Sequence, residues 1–289
     1  MPPCKTAKKY IIKYLLMISV LASTLISGGC SIPTVSGIVD GFNYQNDIEL
    51  VCDGSSSYLL LLDSMLAKDP TDASKLANTT KAYSAYVNVV EECNHPPERG
   101  AVLSIKAKDY ALRLLEEDLA IKRSDNLEEL TAKLQKTDDD DVESLFWGAY
   151  GWGQWISYQQ GAPAAVIDLP KLEMIMKRVV ELDETFYNGG AHIFLGIYYS
   201  LKPSALGGDP EASRNHFERA LEIGGRRFLP TQVAYAEYYA RMAHDRELYQ
   251  KLLGEVIAFD ISSFPDQTLG NLVAQKQAAK MLEKTDEYF

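Results

Sequence analysis

The sequence predicts an all-α protein: stacked antiparallel helix hairpins with cryptic tetratricopeptide-like repeats. Three observations predict it. Apolar residues recur at helical spacing over most of the chain, no segment alternates as a half-buried strand does, and proline, glycine and asparagine signals cut the pattern into helix-length runs. These runs cover residues 57–68, 74–93, 99–122, 126–136, 141–159, 164–182, 190–200, 210–223, 231–242, 246–259 and 267–284. Asp69-Pro70, Asn94-His95-Pro96-Pro97, Gly161-Ala162-Pro163, Lys202-Pro203, Gly224-Gly225 and Phe264-Pro265 mark stops and turns between them. Short connections make successive helices antiparallel neighbours.

A loose internal repeat supports the stack. Val179-Val180-Glu181-Leu182-Asp183 is echoed by Ala220-Leu221-Glu222-Ile223-Gly224 and, more faintly, by Val256-Ile257-Ala258-Phe259-Asp260, at intervals of 41 and 36 residues. A tetratricopeptide unit of ~34 residues carries Leu-Gly-x-x-Tyr on its first helix and spaced Ala and Phe on its second. Leu195-Gly196 with Tyr199 fits the first pattern, and Phe217 with Ala220 fits the second, across an expanded turn at 201–209. Each pair leaves an apolar face that only a neighbour covers, so a curved stack with a groove is expected. A generic helical bundle is the competing reading. Gly207-Gly208-Asp209-Pro210 lacks the Gly-Lys-Ser/Thr ending of a phosphate loop, and it reads as a turn with Asp209 as helix cap and Pro210 in the first helical position.

The N-terminus divides from the rest by composition. Lys5, Lys8, Lys9 and Lys13 precede an apolar run over residues 14–26, then Ser27-Gly28-Gly29 and Cys30. Residues 1–29 read as a lipoprotein signal peptide, Cys30 as the lipid-bearing residue and residues 30–45 as a tether, leaving 46–289 as the helical domain. An ordinary secretory signal is the alternative. An anchor of two or three acyl chains tethers stably without spanning the bilayer, and Ser31, where a retention signal would carry Asp, mildly favours the outer membrane on its periplasmic face. The formal charge of −11 moves to −15 when the four lysines of this segment are removed, which argues against a nucleic-acid partner.

The remaining cysteines, Cys52 and Cys93, either pair in an oxidising compartment or serve as small buried thiols at helix ends. Histidines 95, 192, 216 and 244 form no His-Glu-x-x-His pattern, no Gly-x-Ser-x-Gly elbow occurs, and the acidic run 138–141 lacks the glycine and spacing of a calcium loop. The sequence therefore predicts no enzyme, no metal and no cofactor.

Two helices stand out as candidates for binding. Residues 141–159 combine Phe146, Trp147, Tyr150, Trp152, Trp155 and Tyr158 with Gly148, Gly151 and Gly153. Glycine inside a helix costs about 1 kcal/mol against alanine, so this cluster serves close helix packing or a ligand groove. Trp147, Tyr150 and Tyr158 share one side, and Trp152 and Trp155 another. His192, ahead of Gly196 and Tyr199 on one helix face, is either a satisfied interior histidine or a groove residue. Trp147, Tyr150, Trp152, Trp155, His192 and Tyr199 are the candidate ligand contacts.

Phe146-Trp147-Gly148 with Trp152-Gly153, Asp168-Leu169-Pro170-Lys171, the stretch 178–183, Gly190-Ala191-His192 through Tyr199, and Leu206-Gly207-Gly208-Asp209-Pro210 occur in order. Phe217-Glu218-Arg219-Ala220, Glu237-Tyr238-Tyr239-Ala240 and Leu269-Gly270-Asn271 continue the series, with Gly270 where alanine is more usual. This set resembles the T component (TatT) family of tripartite ATP-independent periplasmic (TRAP) transporters, from about residue 53 to the end. The resemblance implies a lipid-anchored periplasmic helical protein, a homotrimer with a pore or cleft in each protomer. It also implies a solute-binding P component as partner and a small apolar or amphipathic ligand, such as an organic acid with a hydrophobic body. The competing class is a general scaffold lipoprotein for envelope assembly with no small-molecule site.

Overall fold

The computed structural model describes residues 41–159, 161–201 and 208–289. The signal segment, Cys30 and most of the expanded turn at 201–209 lie outside the described residues. Among the described residues the protein is all α, without a strand.

Helix α1, Ile48–Lys68, starts where Asp47 accepts a hydrogen bond from the Leu50 amide at 3.0 Å, and it buries Val51, Ser55, Leu59, Leu62 and Leu66 along one stripe. It begins nine residues before the periodic pattern that announces it, because Asp53-Gly54-Ser55-Ser56 dilutes the apolar signal. Asp72 caps α2, Ala73–Val89, in the same way, and α3 covers Pro97–Leu119. Asn126 and Glu129 form a reciprocal capping box on α4, Leu127–Leu134. The aromatic helix α5, Val142–Ser157, follows and packs on α2, α3 and α7. The run expected at 164–182 is two helices, α6 at Pro163–Val166 and α7 at Leu169–Asp183, because Pro170 cannot continue a helix but suits a first turn.

Helix α8, Phe186–Ser200, opens with a kink. Tyr187, Asn188 and Gly189 all adopt left-handed backbone, at φ of 50°, 57° and 77°, and regular helix resumes at Gly190. Asp209 caps α9, Pro210–Ile223, through the Ala212 amide at 2.9 Å, with Pro210 in the first turn as the sequence predicts. Helix α10, Pro230–Ala234, passes directly into a π-helix, Tyr235–Ala240. Then come α11, Arg246–Ala258, α12, Thr268–Glu283, and the short α13, Thr285–Tyr288.

The core has two centres. One gathers Leu115, Phe146, Trp152 and Leu172 between α3, α5 and α7; the other gathers Phe217, Tyr235, Tyr249 and Val256 between α9, the π-helix, α11 and α12. The α5 glycines answer the packing requirement. A Cβ on Gly148 would stand 2.4 Å from Leu115 Cγ, and one on Gly153 would stand 2.6 Å from the Phe194 ring, so larger residues here would force helices apart. Cys52 on α1 is disulfide-bonded to Cys93 in the turn after α2, which resolves the choice left open by sequence. Phe42, assigned to the tether, packs its ring 5.3 Å from that of Tyr58.

Candidate functional site

Between the two core centres lies a cleft of about 380 Å³. Its walls come from α1, α2, α5, α8, α10, the π-helix and α12, so residues between Phe42 and Gln277 contribute to one space. The aromatic wall is continuous. Phe146 meets Trp147 edge-on at 4.9 Å and stacks on Tyr150 at 5.7 Å; Tyr187 meets Trp147 at 4.9 Å and Phe228 at 5.7 Å. The left-handed kink at 187–189 places the Tyr187 ring there, a backbone cost of the kind that clusters at functional positions. Gly190 completes the approach, since a Cβ there would lie 2.6 Å from Phe146.

Few polar groups interrupt this surface. Asn88 donates to the Tyr150 hydroxyl at 3.0 Å and accepts from Gln154 at 2.7 Å, which fixes the Tyr150 ring. Lys81 places its ammonium 5.8 Å from the Trp147 ring centre. The Tyr58 hydroxyl is buried without a hydrogen-bond partner, and burial pushes its pKa up to about 12. Burial also raises Tyr150, Tyr187, Tyr238 and the carboxyl of Glu237.

Of the six expected ligand contacts, Trp147 and Tyr150 line the cleft. Trp152, Trp155, His192 and Tyr199 do not, and helical twist is the reason. Trp152 is fully buried on the opposite side of α5, where its Nε1 donates to Asp168 at 3.3 Å, and Asp168 in turn pairs with Arg123. Trp155 lies under Lys108 and Arg123, whose cations stand 4.6 Å and 5.3 Å from its ring.

His192 and Tyr199 belong to a polar hub between α7, α8 and α9. His192 and His216 bond through their Nδ1 atoms at 2.9 Å, and His192 Nε2 meets Glu184 at 3.3 Å. Arg219 clasps both oxygens of Glu184, and with His192 it holds that carboxyl down to about 2. Tyr199 stacks on His216 at 5.7 Å and donates to Glu173 at 2.6 Å. Burial alone would raise Glu173, but bonds from Lys177, Tyr198 and Tyr199 outweigh it and bring it to about 2. Burial and the neighbouring His192 and Lys177 lower His216 to about 4. No set of His, Cys, Asp and Glu suited to a metal ion occurs among the described residues.

Sequence reasoning passed over Tyr187, Phe228 and Glu237 as cleft residues. The first two sit in non-helical backbone and in a connection, where periodicity carries no facing information. Glu237 did leave a signal, as the one charged residue in the stretch 231–240.

Fold and site thus define an all-α protein with an aromatic, largely apolar cleft. The chain belongs to the TRAP transporter T-component family, whose model matches residues 44–289. It is also similar to an uncharacterized protein of Treponema pallidum (strain Nichols), 20% identical over 265 residues that cover 86% of this chain and 82% of that one. The protein is therefore an accessory component of a TRAP transporter, a transporter family and not an enzyme family. No helix among the described residues is long and apolar enough to cross a membrane.

Proposed function

We propose that the protein is a lipid-anchored periplasmic T component that holds a small hydrophobic or amphipathic solute in its cleft and exchanges it with the solute-binding P component. The single observation that carries this reading is the cleft itself. Its volume of about 380 Å³ falls in the range of small-molecule sites, and its aromatic rings with few polar groups suit an apolar ligand body. Family membership supplies the transport context. In this reading Cys30 carries the lipid, the anchored protomers associate as a homotrimer, and separate subunits cross the membrane.

The decisive experiment mixes the lipid-free chain with the TRAP solute-binding protein of the same organism and follows it by native mass spectrometry. A stoichiometric complex, together with a retained or added small molecule on the T component, is the expected result. A chain that binds neither, but captures other envelope proteins, is a scaffold, and the transporter reading then falls. Labelling with radioactive palmitate, lost in Cys30→Ala, tests the anchor separately.

A further inference from the structure

Glu237 is the acid among the residues that line the cleft. It lies on the π-helix Tyr235–Ala240, a rare backbone form that concentrates at functional positions, and this segment presents the adjacent Glu237 and Tyr238 to the same space. No hydrogen bond or ion pair to the Glu237 carboxylate is found among the described residues, although acids elsewhere in the protein are paired. The charges around it do not replace a partner. Arg241, one turn further on, stacks its guanidinium on Tyr288 at 3.9 Å, and Glu91, near the end of α2, adds like charge. Of the hydroxyls that feel its charge, that of Tyr249 donates to the Met281 carbonyl at 2.9 Å, and that of Tyr238 does not reach the carboxylate among the described residues. A half-buried carboxylate with no protein donor is left to whatever enters the cleft, water or a ligand.

We propose that Glu237 selects, for this cleft, a ligand that carries a protonated amine on a hydrophobic body. The inference rests on reading the cleft as a binding site. An ammonium would supply the donor and counter-charge that Glu237 lacks, and it would sit beside the Tyr238 ring, whose face attracts cations. Lys81, over the Trp147 ring, is the cation on the same lining, and the aromatic rings beside it face the apolar body of the ligand. A carboxylate ligand at the Glu237 end would instead meet the like charges of Glu237 and Glu91. The formal charge of −11 on the chain favours a cation at long range as well.

The test uses three probes with one body, octylamine, octanol and octanoate, titrated calorimetrically into the lipid-free chain and into Glu237→Gln. Octylamine is expected to bind the unaltered protein roughly ten-fold more tightly than octanol, the worth of one charge-assisted hydrogen bond. Octanoate is expected to bind more weakly than octanol. In Glu237→Gln the preference for amine over alcohol disappears, and continued binding of octanol, at whatever affinity, shows that the variant keeps its cleft. Equal binding of amine and alcohol to the unaltered protein, or an amine preference that survives Glu237→Gln, overturns the assignment and leaves the cleft reading standing. Failure of all three probes to bind removes the cleft reading, and the amine assignment with it.

Discussion

Glu184 and Glu237 stand on opposite sides of α8 in opposite states. Glu184 receives Arg219 on both oxygens and His192 on one, and its pKa falls to about 2. Glu237 receives no bond among the described residues, and burial raises its pKa. The hub around Glu184 joins three helices through hydrogen bonds and ion pairs, whereas in the cleft the Tyr58 hydroxyl and the Glu237 carboxylate meet no partner among the described residues. The contrast separates polar residues that build the fold from polar residues kept available for something outside it.

Four measurements break or sharpen this contrast, beginning with the largest effect. Phe217 is fully buried against Gly196 and stacked on Tyr235 at 4.9 Å, so Phe217→Ala should cost about 3–5 kcal/mol in chemical denaturation. Trp147→Ala, which opens space beside an existing cleft, should cost distinctly less; equal losses would mean the cleft wall is packed as tightly as the core. Replacing both Cys52 and Cys93 by Ser should cost about 2–4 kcal/mol, since the bridge closes 41 residues of chain. A variant pair with an unchanged midpoint would show that α1 needs no covalent tie to keep its side of the cleft.

Next in size is a difference of sign. Glu184→Gln should destabilise by about 0.5–1 kcal/mol, given its partial exposure and the screening that follows, whereas Glu237→Gln should stabilise, by at most roughly 1 kcal/mol, by removing a half-buried charge that has no protein partner among the described residues. Thermal melts that move both variants in the same direction would abolish the distinction. The smallest effect is a pH slope. His216 titrates near 4 in the folded protein but near its ordinary value of about 6.5 when unfolded. Its contribution to stability is therefore complete above the ordinary value and is lost as pH falls toward 4, because only the unfolded chain takes up the proton in that window. Melting temperatures should begin to drop between about pH 7 and 6, and His216→Phe, which keeps a ring to stack on Tyr199, should flatten that part of the slope.

Much of the fold was legible in the sequence because its signals were local. Capping by Asp209 and the resumption of regular helix at Gly190 both follow from residue types at a helix end. The π-helix was not legible: Tyr235–Ala240 keeps a helical apolar pattern, and only the backbone shows the wider turn. For the cleft, the aromatic helix does supply part of the lining, and its two-sided geometry agrees with Trp147 and Tyr150 parting from Trp152 and Trp155. The choice between sides depends on which helices pack where, and that information is long-range. Tyr187 shows the limit most clearly, since its place in the wall depends on three consecutive left-handed residues, two of them not glycine.

The span of the cleft has a thermodynamic consequence. Its walls run from Phe42 to Gln277, so an occupant that filled it would touch helices from nearly both ends of the domain. A molecule that touched both ends would bind only the folded domain, and its free energy would then be added to the stability of the whole domain instead of one loop. At a concentration a hundred times its dissociation constant, such an occupant would add about 2.7 kcal/mol to unfolding. A melting screen against a chemical library would then read occupancy directly, with no assay of transport.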